Sequence, residues 1–211
     1  MNDAFQSLTS LAPDTADGRK AIRKDLRKQR RSLNTQQQRD AAIHLASMLR
    51  QHPRVMQARH LAVYLPNDGE IDPGLFMAQT RRRNVHFYLP VLHPIHDGQL
   101  AFCRFDEDTP MRPNRFGIAE PVFHSRRIRP AWAMDVVLMP LVGFDDQGGR
   151  LGMGGGFYDR TFAFTRLRPR LRPALIGLAH DLQRVRRLPI EDWDVPLDAV
   201  VTDRAIYRGR G

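Results

Sequence analysis

Apolar and polar positions alternate along the chain in a way that predicts short helices and strands in turn. Residues 18–33 carry Ile22, Leu26 and Leu33 at spacings of four and seven, which predicts a helix with one apolar side. Arg19, Lys20, Arg23, Lys24, Arg27, Lys28, Arg30 and Arg31 cover the remainder, the pattern of a solvated face. Within that run Arg19, Arg23 and Arg27 share one stripe, with Lys20 beside it, and such a stripe can instead reach phosphates. Thr35-Gln36-Gln37-Gln38 has the form of a capping box and opens a second helix to about residue 51, with Ala41, Ala42, Leu45, Met48 and Leu49 as its buried stripe. Pro53 marks its end.

Residues 61–65 read as a strand, and Pro66-Asn67-Asp68-Gly69 as a turn. Asp72 as a cap and Pro73 in a first turn predict a helix to about residue 83, and residues 85–89 form the next strand. That completes a parallel strand–helix–strand unit. Glu70 then lies just past the C-terminal end of a strand, where open α/β sheets place ligands, although an acidic turn residue also suits plain surface. Residues 99–105 alternate as a strand. The proline-rich stretch 109–130 reads as irregular, with Arg126, Arg127 and Arg129 solvated. Residues 136–144 form a buried apolar strand, 158–167 a helix, and 174–179 and 198–202 further strands. The class is α/β with a mainly parallel sheet.

Between the strand at 136–144 and the helix at 158 stands Asp145-Asp146-Gln147-Gly148-Gly149-Arg150-Leu151-Gly152-Met153-Gly154-Gly155-Gly156-Phe157-Tyr158-Asp159-Arg160, with six glycines in nine residues. Glycines between a strand and a helix let backbone N–H groups crowd around an anion, with the positive helix end behind them. A tight turn without a ligand has the same composition. No lysine is present, so this is not a Walker loop, and Phe157 stands where the dinucleotide fingerprint needs its last glycine. The neighbours add chemistry. Arg150 suits a phosphate fork, Asp159 a magnesium ion, and Phe157 and Tyr158 a ring-shaped ligand. Together they point to a nucleotide and a second, aromatic substrate.

Composition narrows the classes. A chain of 211 residues predicts one domain, 18–211, behind a loose tail at 1–17. A net charge of +10 suits anionic ligands, and it would also suit a nucleic-acid-binding module. Against the latter, the basic stretches are not interleaved with stacking aromatics, and no nucleic-acid motif is present. The lone Cys103 excludes an internal disulfide and reads as a core residue of a protein from a reducing compartment. No segment is apolar and long enough to span a membrane, and residues 1–17 lack a secretory pattern, so a monomeric cytoplasmic protein without membrane or nucleic-acid partners is expected. There is no Gly-x-Ser-x-Gly elbow and no zinc spacing, and His93-Pro94-Ile95-His96-Asp97 is a weak metal signal. Anion handling with Glu70, Asp159 and Asp194 remains, which another ATP-dependent small-molecule kinase would share.

These residues together resemble the 5-formyltetrahydrofolate cyclo-ligase family, also called 5,10-methenyltetrahydrofolate synthetases. The resemblance is carried by Pro140-Leu141-Val142-Gly143-Phe144-Asp145 and the stretch from Gly149 to Arg160. It extends to the basic first helix, Asp68-Gly69-Glu70-Ile71-Asp72, Tyr88-Leu89-Pro90-Val91 and Trp193-Asp194-Val195-Pro196-Leu197-Asp198. It implies a three-layer α/β fold, with helices on both faces of the sheet, related to sugar-phosphate isomerases and CoA transferases. It implies ATP- and Mg2+-dependent closure of 5-formyltetrahydrofolate to 5,10-methenyltetrahydrofolate, in which the formyl oxygen is phosphorylated and phosphate then leaves. Carried over by position, Arg19, Lys20 and Arg23 would bind ATP phosphates, together with Arg150, Leu151, Gly152, Met153, Gly154, Gly155, Gly156, Phe157 and Tyr158. Of these, Arg150 and Tyr158 would act in catalysis. Leu65, Glu70 and Met153 to Phe157 would contact the folate, and Asp159 and Asp194 would hold magnesium. Phe157 stands where many members have tyrosine, Met153 where some have a base, and Trp193 where histidine is frequent.

Overall fold

The computed structural model describes residues 16–80, 84–167 and 172–209. Three helices come first, α1 (Ala16–Arg31), α2 (Thr35–Gln51) and α3 (Pro53–Gln57). They lead into β1 (His60–Ala62), α4 (Gly74–Gln79), β2 (His86–Leu92) and β3 (Leu100–Phe105). A hairpin of β4 (Met111–Pro113) and β5 (Ala119–Pro121) precedes β6 (Ile128–Arg129) and β7 (Val136–Pro140). Then come β8 (Gly143–Asp145), β9 (Arg150–Leu151), α5 (Phe157–Phe162), β10 (Ala174–Leu178), β11 (Arg184–Val185), β12 (Ala199–Val201) and β13 (Ile206–Arg208).

Among the described residues eight strands form one sheet in the order β13-β12-β10-β7-β1-β2-β3-β6. Its inner strands β12, β10, β7, β1 and β2 run parallel, and β13, β3 and β6 add antiparallel margins. Parallel strands read as continuous apolar runs because both faces are covered, and β7 shows how. Leu138 faces Leu45 and Leu49 of α2, Val55 of α3 and Phe76 of α4 on one side of the sheet. Val137 and Met139 face Phe144 and Phe162 on the other. The result is the three-layer α/β arrangement expected, and β1–α4–β2 is the parallel unit expected at 61–89.

Strand order reverses between β1 and β7. From β1 the chain goes to β2 on one side, while β7 leads to β10 and β12 on the other. In open α/β sheets the crevice beyond the carboxyl ends of such a strand pair is where ligands bind. The Asp68–Glu70 turn follows β1, and the glycine stretch follows β7 by way of β8 and β9.

Several local expectations are corrected. The apolar run at 136–144 is two strands, not one. After Pro140 the chain leaves the large sheet, Val142 N donates to Leu151 O at 2.8 Å, and β8 joins β9 and β11 in a separate three-stranded sheet. Uniform burial on both sides hides this break from a reading of hydropathy. The cap of α2 is Asn34, one residue earlier than expected: its side chain accepts from Gln37 N, and Asn34 N donates to Gln37 Oε1, both at 2.9 Å. Pro53 opens α3 rather than merely ending α2. The stretch 109–130 contains a hairpin, Arg127 pairs with Asp106, and Arg129 donates to Ala133 O at 2.8 Å, so these two arginines are not simply solvated. α4 ends at Gln79, and residues 81–83 of the longer helix expected there lie outside the described residues. α5 stops at Phe162 and continues as a 3-10 turn. Cys103 is buried in β3 as expected, and burial pushes its thiol up. No described helix is long and apolar enough to cross a membrane.

Candidate active site

The turn after β1 is held in a costly conformation. Asp68 has φ 56° and Gly69 φ 76°, so two successive residues sit in the left-handed region. For a residue with a Cβ this persists only where surroundings over-determine it. They do so here. The Asp68 carboxylate accepts from Arg27 Nε at 2.8 Å and from Arg30 Nη2 at 2.7 Å, and it also pairs with Arg31. Burial opposes ionisation of Asp68, but the three arginines override it and hold the carboxyl at about 2. Arg30 Nε donates to Asp68 O at 2.8 Å, while His180 Nε2 lies 3.2 Å from Gly69 O. A Cβ on Gly69 would sit 3.1 Å from Arg30 O, a backbone atom that cannot step aside. Gly69→Ala is therefore expected to cost about 1–2 kcal/mol from the left-handed backbone alone, read as a lowered melting temperature.

This clamp aims Glu70. Its Oε2 accepts from Asn67 N at 3.1 Å, and its Oε1 lies 3.8 Å from Arg30 Nη2. Burial pushes the Glu70 carboxyl up to about 7, only partly offset by Arg30 and the Asn67 amide. Tyr64, at the end of the same segment, gives its hydroxyl to Ile71 O at 2.7 Å. Leu65 is half-buried against the core beneath the turn.

Helix α1 presents to both loops the stripe expected from its spacing. Arg19 makes a forked pair with Asp194 at 3.1–3.3 Å, Arg23 Nε donates to Gly152 O at 2.9 Å, and Arg27 reaches Asp68. Burial and the nearby Arg19 lower Arg23, with Asp194 pulling it back. Lys20 is exposed, so Arg19 is the first base on the site side. Leu26 of α1 packs on Val142, Leu151 and Leu188. The Leu151 side chain is thus turned into the core, and only its backbone faces the loop.

The glycine loop is built from β9 into α5. Asp145 anchors its base: buried, it accepts from Gly149 N at 2.8 Å, Gln147 N at 2.9 Å and Leu188 N at 2.7 Å. Gly154 and Gly156 have positive φ, which lets the chain turn sharply into the helix. Met153 is half exposed at the loop's tip, near Arg30. Arg160 clasps Gly155 O and donates to Gly98 O at 2.9 Å, and its guanidinium lies 5.6 Å from the centre of the Phe157 ring. Phe116 of the hairpin meets Phe157 edge-on with centroids 5.8 Å apart. Tyr158 stacks on Phe162 and senses Glu70; burial, then that negative charge, push its phenol up. α5 has six residues, so its dipole contributes less than the longer helix expected, and Arg23 and Arg150 are the stronger cations here.

Arg150 is buried beneath the loop. Its Nε donates to Val195 O at 2.9 Å, and its Nη2 pairs with Asp159. Asp159 Oδ1 also accepts from Val195 N at 3.1 Å, the residue that follows Asp194 in the chain. Magnesium takes one or two carboxylates together with phosphate oxygens and water, and these two aspartates fit that donor chemistry. Each is now matched by an arginine, Asp159 by Arg150 and Asp194 by Arg19. Among the described residues no group of three or more metal-binding side chains occurs, so phosphate would have to complete the shell. His93 uses Nδ1 to accept from Ile95 N and His96 N, at 3.2 and 2.9 Å, and Asp97 pairs with Arg115.

Contacts link Arg19, Arg23, Glu70, Met153, Tyr158, Asp159, Asp194 and Arg150 of the residues expected from the sequence around these two loops, whereas Lys20 is exposed and the Leu151 side chain lies in the core. Asp68, Asp145, Arg30, His180 and Gln183 were missed, and all are polar groups that hold the loops. Gln183 Nε2 donates to Leu141 O at 2.7 Å and to Val142 O at 2.8 Å. The strongest signal for them was Asp68-Gly69, a pair prone to left-handed turns.

Comparison with known proteins places the chain in a family. The family model for the 5-formyltetrahydrofolate cyclo-ligase family matches residues 15–203. A 5-formyltetrahydrofolate cyclo-ligase of Escherichia coli (strain K12) is 40% identical over 182 residues, covering 86% of this chain and 98% of that protein. The Haemophilus influenzae protein of that name is 40% identical over 183 residues, covering 85% and 94%. The NMR structure of Aquifex aeolicus 5,10-methenyltetrahydrofolate synthetase superposes with a TM-score of 0.75 at 27% identity, covering 92% of this chain and 93% of that one. Fold, site and sequence thus lead to one assignment: the chain belongs to the 5-formyltetrahydrofolate cyclo-ligase family.

Proposed function

We propose that this enzyme converts 5-formyltetrahydrofolate and ATP to 5,10-methenyltetrahydrofolate, ADP and phosphate, with magnesium. The observation that carries the reading is the meeting of two loops at the β1/β7 crevice. One presents a half-neutral, buried carboxyl, Glu70, and the other presents glycine backbone between Arg23 and Arg150. An uncharged ring with N–H donors suits the first, and a polyphosphate suits the second.

The chemistry fits groups of this kind. A formamide oxygen is a poor leaving group, and phosphorylation makes it a good one. The formyl oxygen bonds to the γ-phosphorus as the bond to ADP breaks. The neighbouring folate nitrogen then attacks the formyl carbon, its proton passes to the departing phosphate, and the carbon–oxygen bond breaks to release that phosphate. No activated protein nucleophile is required, so catalysis is positioning and charge neutralisation. Arg19 and Arg23 from α1, with the loop amides from Gly152 to Tyr158, would hold the phosphates. Arg150 would neutralise charge at the transferring group. Glu70 would accept from the pterin, Leu65 and Met153 to Phe157 would line the folate, and Tyr158 would offer its neutral hydroxyl between the two substrates. Asp159 and Asp194 would hold magnesium, which supplies positive charge to the phosphate oxygens.

Purified protein mixed with 5-formyltetrahydrofolate, ATP and magnesium should give the near-ultraviolet band of the methenyl product, and none without ATP. Absence of that band from folded protein would overturn the reading. Asp159→Asn is expected to raise the magnesium concentration for half-maximal rate about tenfold or more, roughly the loss of one charge-assisted ligand. An unchanged magnesium dependence would remove Asp159 from the metal site.

A further inference from the structure

Arg30 lies on the helix face that composition marks as solvated, yet it is fully buried. Its guanidinium serves three separate segments. Nε donates to Asp68 O and Nη2 to Asp68 Oδ2, at 2.8 and 2.7 Å. Nη1 donates to Leu141 O at 3.1 Å, just past the end of β7. Nη2 also approaches Met153 Sδ of the glycine loop at 3.8 Å and Glu70 Oε1 at 3.8 Å. A buried charge with this many partners has one preferred geometry, and losing it leaves several groups unsatisfied.

We infer that Arg30 is a positioning residue for the folate half of the site, joining the Glu70 turn, the end of β7 and the glycine loop through one guanidinium. The inference rests on the folate reading above. Arg30 acts on the substrate through Glu70, in two ways. Its bonds to Asp68 fix the left-handed turn that directs the Glu70 side chain. Its charge favours the carboxylate, the form that accepts hydrogen bonds from the pterin. The other groups around Glu70 are Arg27 from α1, Asp68 on the turn, Tyr64 beyond β1 and Tyr158 on α5. Arg27 shares the work of favouring the carboxylate, while Asp68 opposes it.

The test is the pH profile of 5-formyltetrahydrofolate binding by equilibrium dialysis without ATP, alongside melting curves. In the wild type, affinity should rise with pH as Glu70 ionises, with a midpoint near the carboxyl's value of about 7. Arg30→Met should move that midpoint upward by about one pH unit, a roughly tenfold weaker binding near neutrality. Arg30→Lys keeps the charge and should hold the midpoint near the wild-type value while affinity falls at every pH. Asp68→Asn removes the opposing charge and should move the midpoint downward. A purely structural role for Arg30 would weaken binding uniformly and leave all midpoints together. Coincident midpoints in the folded variants would therefore overturn the inference while leaving the folate reading intact. Should Arg30→Met fail to fold, Arg30→Gln, which keeps hydrogen-bond donors without the charge, should show the same upward shift, and a midpoint held at the wild-type value would overturn the inference. Wild-type protein that binds no folate would remove both the reading and the inference.

Discussion

Arg150→Met is expected to lower kcat by about three orders of magnitude, the usual scale for losing a cation that stabilises a phosphoryl-transfer transition state. The side chain is buried at the base of the glycine loop, where a charge is weakly screened. Two effects must be separated. Asp159 loses its guanidinium partner, so stability should also fall, and unpaired buried carboxylates commonly cost about 3–5 kcal/mol. That figure is an upper bound here, because Asp159 retains 19% side-chain exposure. Arg150→Lys separates the two effects. It keeps a charge near Asp159 but lacks the fork that also holds Val195 O. The lysine variant should melt close to wild type and still lose most of its kcat, with the KM for folate little changed. A folded methionine variant that keeps a tenth or more of wild-type kcat would take Arg150 out of the catalytic set.

Glu70→Gln should act in opposite directions on binding and stability. Replacing a charged acceptor by a neutral amide removes charge-assisted bonds worth about 1.5–3 kcal/mol each, so folate affinity should fall roughly 10- to 100-fold at pH 8. ATP affinity should stay within about twofold, because the phosphate contacts lie on other residues. Stability should rise. The folded carboxyl sits at about 7 against an ordinary 4.5. A raised carboxyl stabilises the fold fully below the lower value, and that contribution is lost as pH climbs through the higher one. At pH 8 the loss is complete and amounts to about 3 kcal/mol. Glutamine carries no such penalty, so Glu70→Gln should melt above wild type at pH 8 and converge with it near pH 5. Equal loss of folate and ATP affinity would argue against a folate-specific role. A variant less stable than wild type at pH 8 would mean that burial is not what raises Glu70.

Short-range pattern carried much of this protein. Spacings of four placed Arg19, Arg23 and Arg27 on one stripe of α1, and that stripe faces the site because Ile22 and Leu26 bury the adjoining side. Glycine density marked the loop, since the positive φ of Gly154 and Gly156 suits a residue without Cβ. The β1–α4–β2 unit was legible from alternating turn chemistry and apolar runs, and with it the position of Glu70 at a strand end.

Tertiary packing decided the rest. The break between β7 and β8 lies inside one apolar run, because both pieces are buried and differ only in which sheet they join. The reversal of strand order at β1 and β7 depends on pairings between segments far apart in the chain, which no local pattern encodes. Arg30 looked like its solvated neighbours, since burial of a cation depends on distant partners: Asp68, the Leu141 carbonyl and Met153. The raised Glu70 carboxyl has the same origin. Residue identity supplied the acid, but its ionisation follows from how much water the fold leaves around it and which charges the fold brings near.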